Sequence, residues 1–91
     1  MQSEKKQTEK YTLTLNNYNI LKGLDLSEMG NDIAFYEEEN SFKTSNVDLL
    51  MIILNEAICA YGLDENQECT EYGRNLYALY DEIYYQEGEL L

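Results

Sequence analysis

Apolar residues change their spacing along this chain, and each spacing predicts a different element. Tyr11-Thr12-Leu13-Thr14-Leu15 alternates with period two, which predicts a short strand with Tyr11, Leu13 and Leu15 on one face. Asn16-Asn17 ends it with turn chemistry. A lone strand needs a neighbour for its backbone groups. Ser41-Phe42-Lys43-Thr44 is one partner within the chain, and a strand of another molecule is the alternative. Ile20, Leu21 and Leu24 predict a turn or short helix near 17–23. Asp25-Leu26-Ser27-Glu28 then has capping-box spacing, and Leu26, Met29, Ile33 and Tyr36 follow at 3-4-3 intervals. This stripe predicts a helix over 26–39, with one long helix through Gly23 and Gly30 as the alternative. Val47 to Tyr61 is apolar almost all round, starts behind Ser45 or Asn46 with Asp48 in its first turn, and stops at Gly62. It reads as the central helix, over 46–61. Thr70 caps a last helix over 70–87, whose stripe is Tyr72, Leu76, Leu79, Tyr80 and Ile83 and which Gly88 ends. The expected fold is mainly α: a three-helix domain with one short N-terminal β-strand. A small α+β fold with a two-stranded sheet is the alternative.

Charge adds a second layer. Eighteen Asp and Glu face six Lys and Arg across 91 residues, a formal charge of −12. Residues 1–10 carry three of the lysines and read as a flexible arm before a single helical domain over 11–91. Without that arm, 16 acids face Lys22, Lys43 and Arg74, a charge of −13. Such a body argues against nucleic acid or an anionic membrane as a direct ligand, since both require cations on the protein. The N-terminus lacks the apolar region of a signal peptide, and the longest apolar run, Leu49 to Leu54, is too short to span a bilayer. The expected location is the cytoplasm, with Cys59 as a small core residue, Cys69 exposed, and both as thiols.

Candidate chemistry narrows the picture by subtraction. The chain has no His, hence no Ser-His-Asp or Cys-His arrangement and no imidazole metal site. A calcium loop starting at Asp64 would need Gly where Cys69 stands and Glu where Asn75 stands. One starting at Asp25 would put Met29 at a ligand position and Tyr36 in place of the bidentate Glu. No phosphate-binding loop, dinucleotide turn or nucleophile elbow is present. The expectation is a non-enzymatic protein with no metal and no cofactor.

The arrangement of acids is the more informative feature. On the expected first helix, Asp25, Glu28 and Asp32 form an i, i+3, i+7 row that Glu39 continues, flanking the apolar stripe. Glu37-Glu38-Glu39 would close that helix. Asp64, Glu65, Glu68 and Glu71 form a second cluster, and Asp81, Glu82, Glu87 and Glu89 a third. Acidic faces of this kind also serve solubility alone. However, a face that needed only solvation could mix Lys with Glu and avoid the repulsion, whereas an external cationic surface would relieve it and steer association. Tyr77, Tyr84 and Tyr85 cannot all join one buried stripe. Tyr77 and Tyr85 are therefore added to the candidate partner-binding residues, because Tyr amid acids suits Arg-rich surfaces. The alternative is that the rings widen a helical contact face.

Small size, strong acidity and the rows Asp25-Glu28-Asp32 and Asp64-Glu65-Glu68-Glu71 resemble the small acidic inhibitors carried by phages and mobile elements. These include DNA mimics of the anti-CRISPR and anti-restriction type. The resemblance implies a basic nucleic-acid-binding protein as partner, such as a CRISPR effector or a restriction enzyme, met in the cytoplasm of a host cell. Two other readings stand beside it. One is a module that self-associates as a homodimer through the 11–15 strand or the Tyr-rich last helix. The other is an antitoxin-like neutraliser of a basic toxin.

Overall fold

The computed structural model describes residues 7–91. The fold is α+β: three helices and a four-stranded antiparallel sheet. In chain order these are β1 (Glu9–Thr12), α1 (Leu15–Lys22), β2 (Ala34–Tyr36), β3 (Ser41–Thr44), α2 (Val47–Tyr61), α3 (Glu71–Tyr84) and β4 (Glu89–Leu90). The sheet order is β2-β3-β1-β4. The mainly α expectation is thereby overturned; the α+β class of the alternative holds, but its sheet has four strands in place of two. Of the expected arm, residues 1–6 lie outside the described residues, while Glu9 and Lys10 belong to β1.

The largest departure is the segment 26–39, which contains no α-helix. Only Ser27–Met29 and Glu37–Glu39 form single 3₁₀ turns, and β2 lies between them. Gly30 explains the break. Its φ of 60° and ψ of −127° suit the second residue of a type II′ turn, closed by Asp32 N–H donating to Met29 C=O at 3.0 Å. An L side chain is strained there. Met29 is nevertheless buried, and Leu26 and Ile33 pack against the core. The apolar stripe therefore marks core contact at Leu26, Met29 and Ile33 without marking a helix, and Tyr36 stands outside the core cluster.

Tertiary demand explains why the segment turns into a strand. Ser41, Phe42 and Thr44 of β3 are buried, so their backbone groups need neighbours on both sides. On one side β1 supplies Tyr11 opposite Phe42, and on the other β2 supplies Phe35 opposite Phe42. The Tyr11 and Phe42 rings stack at 5.3 Å, and Phe35 meets Tyr18 of α1 edge-on at 5.8 Å. This aromatic row shares one core with Leu21, Leu50, Ile53, Leu54, Leu79 and Ile83 from the helices. Hence the expected 11–15 strand lies instead at Glu9–Thr12 and pairs within the chain, as an interior strand. Its expected face holds for Tyr11 and Leu13, while Leu15 starts α1 and is exposed.

The helices have identifiable ends. Thr14, Asn46 and Thr70 each accept a backbone N–H three residues on, capping α1, α2 and α3. Glu82 of α3 reinforces the first of these by accepting from Thr14 N–H at 3.0 Å and from Asn17 Nδ2 at 2.8 Å. Gln86 substitutes for a strand residue: its Oε1 accepts from Thr12 N–H at 3.2 Å and its Nε2 donates to Thr12 C=O at 3.0 Å. Gln86 therefore binds the sheet edge through its side chain, and α3 ends at Tyr84.

Tyr11 makes the core sensitive to alkali. Burial, then the hydrogen bond it donates to Glu9 Oε1 and the nearby negative charges of Glu9 and Asp48, push its phenol up to about 12. A phenol raised from about 10 favours the neutral form in the fold. Its contribution is fully present below pH ~10 and is lost as pH rises through ~12, amounting to about 2 kcal/mol. Urea denaturation between pH 9 and 12 should show this decline, and Tyr11→Phe should flatten it. An unchanged slope in Tyr11→Phe would contradict the assignment.

Candidate functional site

The acidic residues named from the sequence separate into those the fold uses and those it leaves outward. Asp32 belongs to the first group. Its carboxylate accepts from Ser45 N–H at 2.9 Å and Ser45 Oγ at 2.6 Å, tying the turn before β2 to the entry of α2. Glu37 pairs with Lys22 and Glu39 with Lys10. The Lys22 contact holds the Glu37 carboxyl below its usual range, and each carboxylate raises its lysine. Glu37–Glu39 connect β2 to β3 and close no helix. The expected helical row Asp25-Glu28-Asp32-Glu39 does not exist as a row.

Asp64 is also used internally, accepting from Asn66 N–H at 2.8 Å and Glu68 N–H at 3.0 Å. With Gln67 in a left-handed conformation and Leu63 bridged to Cys69, these bonds shape the loop between α2 and α3. Glu65 and Glu68 are exposed on that loop, Glu71 is exposed in the first turn of α3, and Glu38 is exposed at the β2–β3 connection. Tyr77, Tyr84 and Tyr85 are all exposed, Tyr85 by 80%. Tyr84 stacks on Tyr80 at 6.1 Å and meets Tyr85 edge-on at 5.0 Å. Tyr72, expected in the core stripe, is 42% exposed. Cys59 is exposed, against expectation, Cys69 is half-buried, and both are free thiols.

One concave feature gathers what the sequence had separated. A groove of about 220 Å³ runs between the 24–28 segment and α2. Its α2 wall is Ile53, Glu56, Ala57, Ala60 and Tyr61, an i, i+3, i+4, i+7, i+8 stripe on one helical face. Its other wall is Leu24, Asp25 and Glu28. The floor is apolar and the rim holds three carboxylates and a tyrosine ring. Hydrogen bonds from the Ser27 side chain, and then from its backbone N–H, hold the Asp25 carboxyl below its usual range. Glu28 and Glu56 form no ion pair among the described residues. The described cations lie elsewhere. Lys10 and Lys43 are cross-strand neighbours, Lys22 meets Glu37, and Arg74 donates to Cys69 C=O.

Sequence reading missed Glu56 and Tyr61. Their signal is the pair of small residues, Ala57 and Ala60, which notches an otherwise bulky helix one position after an acid and one before an aromatic.

Among the described residues no group of three or more Cys, Asp or Glu side chains is arranged to hold a metal ion. Nor is any described helix long and apolar enough to cross a membrane. No family model, no curated protein and no solved structure matches the chain.

Proposed function

We propose that this chain is a non-enzymatic acidic binding protein, acting in the cytoplasm, that inhibits a nucleic-acid-binding protein by occupying its cationic surface. One observation carries this reading. Asp25, Glu28 and Glu56 rim an apolar groove with no cation of the described chain beside them. Clustered like charges without counter-ions cost energy in the free protein, and a basic partner recovers that energy on association. Glu65, Glu68 and Glu71 add three more exposed carboxylates, on the loop after α2 and in the first turn of α3.

The test is capture of nucleic-acid-binding proteins from a lysate on the immobilised protein. Captured proteins should elute between low and moderate salt and be displaced by duplex DNA. The triple reversal Asp25→Lys, Glu28→Lys, Glu56→Lys should weaken capture about tenfold or more while leaving the fold intact. Asp32 is left unaltered, because its bonds to Ser45 hold the fold. Capture that resists both salt and reversal would refute the proposal.

The exposed Tyr84 and Tyr85, in ring contact with each other and with the partly buried Tyr80, support a second reading, self-association through α3. Light scattering after size exclusion separates the two: a dimer that persists in high salt favours self-association, and a monomer favours the inhibitor.

A further inference from the structure

The geometry points to the groove between the 24–28 segment and α2 as a receptor for a single arginine side chain of the partner. This inference rests on the acidic-binding reading above and deepens it by naming the group recognised. At about 220 Å³ the groove falls below the ~300–1,000 Å³ of sites for small organic ligands, and it suits one long side chain. Its layers match the layers of arginine. Leu24, Ile53, Ala57 and Ala60 give the groove an apolar lining that covers an aliphatic stem. The Tyr61 ring, 68% exposed in the free protein, offers a face for a guanidinium to stack on. Asp25, Glu28 and Glu56 offer carboxylates that a planar fork can engage with two parallel hydrogen bonds.

Lysine satisfies these layers less well. Its ammonium is compact and strongly hydrated, cannot form the planar two-bond contact, and stacks poorly on an aromatic face. General attraction between charges does not discriminate between the two side chains, but a built groove does.

Two peptides of equal charge make the test, a heptalysine and its analogue with arginine at the central position, titrated by calorimetry at low salt. The arginine peptide should bind about three- to fivefold tighter. Ala60→Leu, which fills the groove at an exposed position without changing charge, should erase that preference and leave heptalysine affinity unaltered. Glu28→Gln should reduce the preference as well, and gives the same reading if Ala60→Leu fails to fold by circular dichroism. Equal binding of both peptides to the wild type would overturn the arginine receptor while leaving the acidic-surface reading intact. A preference that survives both substitutions would likewise overturn it. Absence of binding by either peptide would overturn both readings together.

Discussion

Replacing Gly73 by Ala should destabilise the protein by about 2 kcal/mol or more and lower its melting temperature by about 10 °C. Helix propensity alone predicts the opposite sign, a gain of about 1 kcal/mol for an interior Gly→Ala change. Packing decides the outcome. A Cβ on Gly73 would lie 2.2 Å from the Gly62 carbonyl oxygen and 2.7 Å from the Gly62 Cα. That oxygen cannot move aside, because it accepts from Thr70 N–H at 2.8 Å and from Thr70 Oγ1 at 3.2 Å. The C-terminus of α2 and the first turn of α3 are thus in backbone contact, and only glycine allows it. Gly23→Ala is the matched control: its Cβ would meet nothing closer than 3.5 Å, and φ is −83°. It should be neutral or stabilising by about 0.5 kcal/mol. Thermal melts of both variants check the contrast. A Gly73→Ala protein that melts with the wild type would show that the helices do not approach so closely.

Phe42→Ala should cost about 3–5 kcal/mol, a large part of the roughly 5–14 kcal/mol expected for a domain of this length. Phe42 is fully buried, stacks on Tyr11, and sits opposite Phe35 on its other side. Phe42 lies in register between Tyr11 of β1 and Phe35 of β2, so its loss removes the middle of this aromatic row. Phe35, on the outer strand and only partly buried, should cost less when truncated. Urea denaturation should show the midpoint falling with an unchanged slope for Phe42→Ala. Equal costs at the two positions would contradict the central role of β3.

Legibility differed between helices for physical reasons. The α2 and α3 segments were readable because long apolar periodicity and side-chain caps act locally: Asn46 and Thr70 cap where expected, and Gly62 follows the last turn of α2. The 26–39 segment was not, because its 3-4-3 apolar spacing fits both a helix and a turn followed by a strand. A single glycine conformation and the unmet backbone groups of a distant strand decided between them. The candidate site suffered most from this. Asp25 and Glu28 kept a place on it, Asp32 became a structural clamp, and Glu39 found Lys10 across the sheet.

What the amino-acid sequence determined by itself was the charge, much of the buried set, the two long helices and the absence of imidazole chemistry, while Leu15, Cys59 and Tyr72 fell outside the core that their spacing predicts. Each depends on composition or on contacts within a few residues. The tertiary structure alone decided the four-stranded sheet, the pairing of lysines with Glu37 and Glu39, and the grouping of Asp25 and Glu28 with Glu56. Those outcomes join residues far apart in the chain. Their free energy comes from burial and pairing that no local spacing encodes.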